Sequence, residues 1–362
     1  MKSSFKIFSI SGIPVELHIS FLLLMVVIFA LAFLEIITLY LAFLITLIFV
    51  TVVIHELGHS YVAKRYGISV ERIVLLPIGG VAAMGEIPKD PGQELKIAIA
   101  GPLTNFIIAF FCLAGLFITG GIGALGVSQF FIFYAPNAYI NLFLSNFLGI
   151  NLVLGIFNLL PAFPMDGGRV LRAFLARKMN YVKATKIAAT VGKQFAILMA
   201  IFGIFFSFIL ILIAIFIYIG ADQEYKTVMI SSMLEGLLVK DIMTPNVTTL
   251  TPETPVSEAL STMFKQRHMG YPIIEKNNLV GIITFEDVSK VPESKRSIPV
   301  KDIMSKNLIL ASPDEPVFTA FEKIIKNNIG RLPVTENEKL VGIISKTDII
   351  NALKVLEAKS AQ

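Results

Sequence analysis

His55-Glu56-Leu57-Gly58-His59 lies inside an apolar run long enough to cross a membrane, and holds two of the chain's four histidines. On a helix, positions i and i+4 share a face, so both imidazoles can bind one Zn²⁺ while Glu56 beside them handles protons. The competing reading is a chance match on a surface helix. It is weak here, because three ionisable groups on one transmembrane turn are costly unless they face an interior and have partners. His59 comes about six residues before Lys64 and Arg65. At 1.5 Å per residue, the metal would sit on the order of 10 Å below the membrane surface those cations mark.

Composition agrees with a membrane setting. Mean hydropathy is +0.76, and only 16% of residues are charged, against roughly 25% in soluble domains. Residues 223–362 return to soluble composition, with 17 Lys/Arg against 17 Asp/Glu, so residues 1–222 hold the whole +5 excess. A soluble part without a basic stripe argues against nucleic-acid binding. The single cysteine, Cys112, stands in an apolar run and reads as a small buried residue. No small-residue cleavage site follows the first apolar stretch, which therefore reads as an anchor.

Apolar runs measured against a bilayer needing about 20 residues per helix give six spans. Residues 19–34 and 36–63 are the first two. Residues 97–165 contain no Asp, Glu, Lys, Arg or His and make two more around a loop at 120–137, which Pro136 and Asn137 mark. Residues 187–221 are too long for one helix and read as a tight hairpin turning at 203–207. Basic clusters fall at alternate ends of successive spans: Lys2 and Lys6, then Lys64 to Lys96, then Arg169 to Lys186. The positive-inside rule puts them, both termini and the soluble C-terminal region in the cytoplasm, in a multi-pass cell-membrane protein.

A catalytic zinc generally takes a third protein ligand and keeps one open position. Asp166 is the first charged residue after that long uncharged stretch, and it follows Pro161 and Pro164 and precedes Gly167 and Gly168. Broken backbone at membrane depth is tolerated where it is buried in protein or lines a wet cavity. The alternative is that Asp166 caps the helix after it or pairs with Arg169.

His55 to His59 in one span, Gly101-Pro102-Leu103-Thr104-Asn105 in a later one, and the segment from Asn158 to Gly168 together resemble the site-2 protease family of intramembrane zinc metalloproteases. The resemblance covers roughly residues 50–170. It implies that His55, His59 and Asp166 bind one zinc per subunit and that Glu56 is the catalytic base. The implied reaction is hydrolysis of peptide bonds within or near transmembrane segments of single-span membrane proteins. Asn158 is a candidate donor to the oxyanion, with interhelical hydrogen bonding the alternative for both Asn158 and Asn105. A helix shields its own carbonyls, so a substrate must unwind. Residues 72–84 read as a short β-hairpin, whose edge could hold an extended substrate by strand addition, or could be structural only.

The soluble region repeats itself. Val239-Lys240-Asp241-Ile242-Met243 recurs as Val300-Lys301-Asp302-Ile303-Met304, and Gly281-Ile282-Ile283 recurs as Gly342-Ile343-Ile344, both 61 residues on. Each unit reads strand, helix, strand, strand, helix. This is similar to a pair of cystathionine-β-synthase-type (CBS) domains, the whole chain being an α-helical polytopic membrane domain with a short β-hairpin region followed by an α/β tandem CBS module. The boundaries are 1–222 for the membrane domain, 223–235 for a linker, and 236–297 and 298–358 for the two CBS domains. The resemblance implies an adenine nucleotide such as ATP or AMP as regulatory ligand, with Thr284 and Asp287, and Ser345 and Asp348, at the ribose- and phosphate-contacting positions. The same Thr/Ser-x-x-Asp spacing also fits a helix cap. His268 reads as a solvated helix-end residue and His18 as interfacial.

The rival function is a CBS-regulated membrane transporter or channel, with buried His, Glu and Asp as an ion path. Such proteins often show two related halves, and residues 1–222 contain no repeat. A homo-oligomer is compatible with the sequence, which names neither the substrate nor the direction of nucleotide control.

Overall fold

A computed structural model describes residues 4–85, 89–121 and 137–360. Most of the loop read at 120–137 lies outside the described residues. The chain divides into two compact units, 1–226 and 227–362.

The first unit opens with a feature the hydropathy reading did not foresee. β1 (Ser4–Ile10) and β2 (Ile13–His18) form an antiparallel hairpin, and β2 pairs in parallel with β3 (Val70–Leu76), which turns into β4 (Gly79–Met84). The sheet order is β1-β2-β3-β4, so the hairpin read at 72–84 is present and β4 is an edge strand. Between the hairpins come α1 (Ile19–Phe33) and α2 (Leu39–Arg65). His18 caps α1, its side chain accepting from the Ser20 amide at 3.2 Å, which accounts for a histidine at this boundary. Then follow α3 (Pro91–Ile118), α4 (Ala138–Asn158), α5 (Asp166–Ala176), α6 (Tyr181–Phe206) and α7 (Phe208–Met233). α6 and α7 meet at an extended Ser207, the tight hairpin expected there.

The six expected spans correspond to six apolar helices among the described residues, five of them long enough to cross a bilayer. The difference is α1. It runs for 15 residues and is followed by Glu35, which takes a left-handed φ of 56°, short of the roughly 20 residues a span needs. Small residues allow the helices to approach closely: Ala162, Ala196 and Ala214 are buried together, as are Ala109, Cys112 and Leu116 with Leu148. Phe110, Phe111, Phe202, Phe205 and Phe206 face outward, a surface suited to lipid.

One buried ionic cluster joins these helices. Arg172 on α5 donates from Nε to Glu94 on α3 at 2.7 Å and from Nη1 to Glu224 on α7 at 2.6 Å. Its guanidinium stacks 4.9 Å from the rings of both Phe163 and Tyr181. Arg172 and Glu94 are 2% and 1% exposed, a depth at which an ion is tolerated only when partnered.

The second unit contains α8 (Val239–Ile242), β5 (Thr244–Pro245), α9 (Val256–Gln266), β6 (Gly270–Glu275), β7 (Asn278–Thr284) and α10 (Phe285–Ser289), then α11 (Val317–Lys326), β8 (Arg331–Glu336), β9 (Lys339–Ser345) and α12 (Lys346–Ser360). The expected first strand of each repeat is reduced to a single parallel bridge, Leu250 to Ile273 and Ala311 to Val334. The repeat is nonetheless carried in the core: Tyr271, Ile273 and Ile283 of one cluster recur as Leu332, Val334 and Ile344 of the other. The two repeats also exchange segments. Thr244 pairs with Ile343 on β9, and Ser305, its counterpart, pairs with Ile282 on β7. That reciprocity makes the two halves one folding unit.

Candidate metal centre and ligand cleft

α2 and α5 bring His55, His59 and Asp166 together. His55 Nε2, His59 Nε2 and Asp166 Oδ2 form a triangle with every edge 3.1 Å. All three residues are buried. Zinc bonds of about 2.0–2.1 Å in a tetrahedral site would set such atoms roughly 3.3 Å apart, so the donor set fits that ion. The hydrogen bonds behind the rings decide which atoms face inward. His59 Nδ1 donates to the Ile97 carbonyl at 2.7 Å, and His55 Nδ1 donates to Asn105 Oδ1 at 2.6 Å. In the neutral imidazoles this leaves both Nε2 lone pairs pointing at each other and at a carboxylate, an arrangement that calls for a cation.

α3 shapes this face at three positions spaced one helical turn apart, Ile97, Gly101 and Asn105. A Cβ at Gly101 would run into Nε2 of both histidines, so the glycine keeps the centre open. The Gly101-Pro102-Leu103-Thr104-Asn105 motif thus has a physical function beside the metal face. Only Asp166 of its segment enters the triangle. It is the first residue of α5, and Met165 rather than Asp166 takes the N-cap position.

A cavity of about 520 Å³ opens beside the triangle, lined by Glu56, Asn158, Arg169 and Phe216 and by β4 from Gly79 to Ala82. A Cβ at Gly80 would meet Val52 and Glu56, so the backbone of the edge strand passes directly over the glutamate. Asn158 reaches the cavity wall while giving one amide hydrogen to the Leu154 carbonyl at 3.0 Å.

In the second unit, a cleft of about 440 Å³ is lined by Thr284, Asp287, Ser305, Asn307 and Arg331, among others. Thr284 and Asp287 form a capping box at the start of α10, the hydroxyl donating to Asp287 Oδ2 at 2.7 Å. Ser345 and Asp348 make the same bond at 2.6 Å, and they are not part of this cleft's lining. Both pairs therefore fill the capping role that their spacing also fits. Arg331, which sequence reasoning did not single out, is half-buried and donates to the Gly270 carbonyl at 2.9 Å. Its partial burial lowers its pKa from the usual arginine value.

A zinc metalloprotease of Methanocaldococcus jannaschii is 46% identical to the chain over 360 residues, 99% of this chain and 98% of that one. The model for Peptidase family M50 matches residues 42–199. The chain belongs to peptidase family M50. This M50 protein is a metalloendopeptidase of the site-2 protease type, and the CBS domain model matches residues 239–294 and 300–355 of it. Among solved structures, a site-2 protease from Methanocaldococcus jannaschii is 48% identical and covers 61% of this chain and 95% of its own, with a TM-score of 0.44. A CBS domain pair solved with 5′-methylthioadenosine and S-adenosyl-L-methionine is 32% identical and covers 34% of this M50 chain and 98% of its own, with a TM-score of 0.31.

Proposed function

We propose that this M50 peptidase is an intramembrane zinc enzyme that cleaves membrane proteins within or near their transmembrane segments, from a site near the cytoplasmic face. The observation that carries the reading is the triangle of Nε2, Nε2 and Oδ2, in which a five-residue stretch of a membrane-length helix supplies both nitrogens and the first residue of α5 the oxygen. His55, His59 and Asp166 would hold the zinc. Zinc bound there would polarise the scissile carbonyl and lower the pKa of a water to about 7. Glu56, in the cavity wall next to the ligands, takes the proton of the attacking water and returns it to the leaving nitrogen. Asn158 gives its second amide hydrogen to the carbonyl oxygen as negative charge develops there.

Substrate geometry follows from β4. An unwound segment can add to that exposed edge and pass over Glu56, with backbone hydrogen bonds holding the scissile bond in register. The CBS module is cytoplasmic in this reading and takes an adenine nucleotide in the cleft of Thr284, Asp287 and Arg331, the arginine meeting phosphate. The test is detergent-purified protein with a model single-span substrate. Cleavage that a chelator abolishes and added zinc restores is the expected result; cleavage indifferent to chelator would overturn the metal reading.

A further inference from the structure

His55 is steered by a chain of amides that starts on α4, a helix that carries none of the three metal ligands. Asn151 on α4 donates from Nδ2 to the Phe147 carbonyl at 2.9 Å. Its Oδ1 accepts from Asn105 Nδ2 at 3.2 Å. Asn105 then turns its own Oδ1 to His55 Nδ1 at 2.6 Å. Asn105 and Asn151 are both fully buried. The series has a fixed direction because its far end is a backbone carbonyl, which can only accept. Reversing the Asn151 amide would put oxygen against the Phe147 oxygen. Reversing Asn105 would put its oxygen against the Oδ1 of a correctly placed Asn151 and its NH₂ group against His55 Nδ1–H. Each link therefore selects the orientation of the next.

We infer that Asn151 is a positioning residue for the metal centre. Acting through Asn105, it holds the proton of His55 on Nδ1 and so presents Nε2 as the lone-pair donor. His59 needs no such series, since the Ile97 carbonyl sets its tautomer directly. The asymmetry explains why two asparagines from two helices lie buried in line with one histidine. Partners that orient a ligating histidine typically change metal affinity by about 10–100-fold when removed.

The inference rests on the zinc reading above, and the two are separable in one experiment. Zinc affinity of the full-length protein in detergent is measured by competition with a chromophoric chelator for the wild type, Asn105→Leu, Asn151→Leu and the double variant. Both single variants should weaken zinc binding by about tenfold or more, and the double variant should be no weaker than Asn105→Leu alone. A side chain that only packs would give multiplicative losses in the double variant. If Asn151→Leu does not fold, Asn151→Ser, which removes the amide with less bulk, replaces it in the same cycle. Wild-type protein that binds no zinc would overturn the zinc reading. Tight wild-type binding with Asn151 variants within about twofold of it, or with multiplicative losses, would overturn the positioning role alone.

Discussion

Gly101 is the residue at which the geometry is least forgiving, because any side chain there enters the space shared by the two Nε2 atoms. Gly101→Ala should lower zinc content and cleavage together by at least about tenfold, measured by elemental analysis and peptide release. Gly149 on α4 provides the contrast: nothing lies within 4 Å of the Cβ it would gain. Gly149→Ala should leave zinc content unchanged and raise thermal stability by up to about 1 kcal/mol. The triangle was legible in the sequence because a four-residue repeat and the first charge after a long uncharged stretch both survive in one dimension. The groups that orient the rings were not. The Ile97 carbonyl carries no side-chain signal, and the pairing of Asn105 with Asn151 depends on how α3 rotates against α4.

At the scale of elements, β4 and α5 are the parts on which the account depends most. Consecutive amides of a strand point to opposite edges, so of Val81→Pro and Ala82→Pro one removes an outward donor and the other a bond to β3. The outward variant should raise KM for an unwound substrate while zinc content stays unchanged. Equal kinetics for that variant and the wild type would leave β4 a purely structural strand. α5 is clasped by Arg172, and Glu94 Oε2 already lacks a partner among the described residues. Arg172→Met should destabilise the first unit by about 3–5 kcal/mol, read as a lower Tm in detergent, because it strands a buried carboxylate. That cluster was invisible in sequence, its three charges lying 78 and 52 residues apart. The β1–β2 hairpin left a fainter trace. Ser11 and Gly12 both take positive φ, 50° and 77°, and Ser-Gly between two apolar runs is a turn signal. The alternation that would have completed it is broken by a bulge after Lys6.

For the molecule as a whole, the 61-residue repeat fixed the second unit more firmly than any hydropathy argument, since its core positions recur with the same offset in space. What it left open was the use of its Thr/Ser and Asp pairs, because a cap and a ligand contact share one spacing. If the cleft takes an adenine nucleotide, millimolar AMP or ATP should raise the Tm of the full chain, and Arg331→Ala should remove the shift, because the cation that would meet phosphate is gone. The claim on which everything else depends is that Glu56 does the proton chemistry at a metal it does not ligate. The most direct test is Glu56→Gln, with zinc content and cleavage of a single-span substrate measured on the same preparation. The account predicts about one zinc per chain and a rate lower by about 10²–10⁴-fold. Cleavage at the wild-type rate, or loss of the zinc along with the activity, would contradict it.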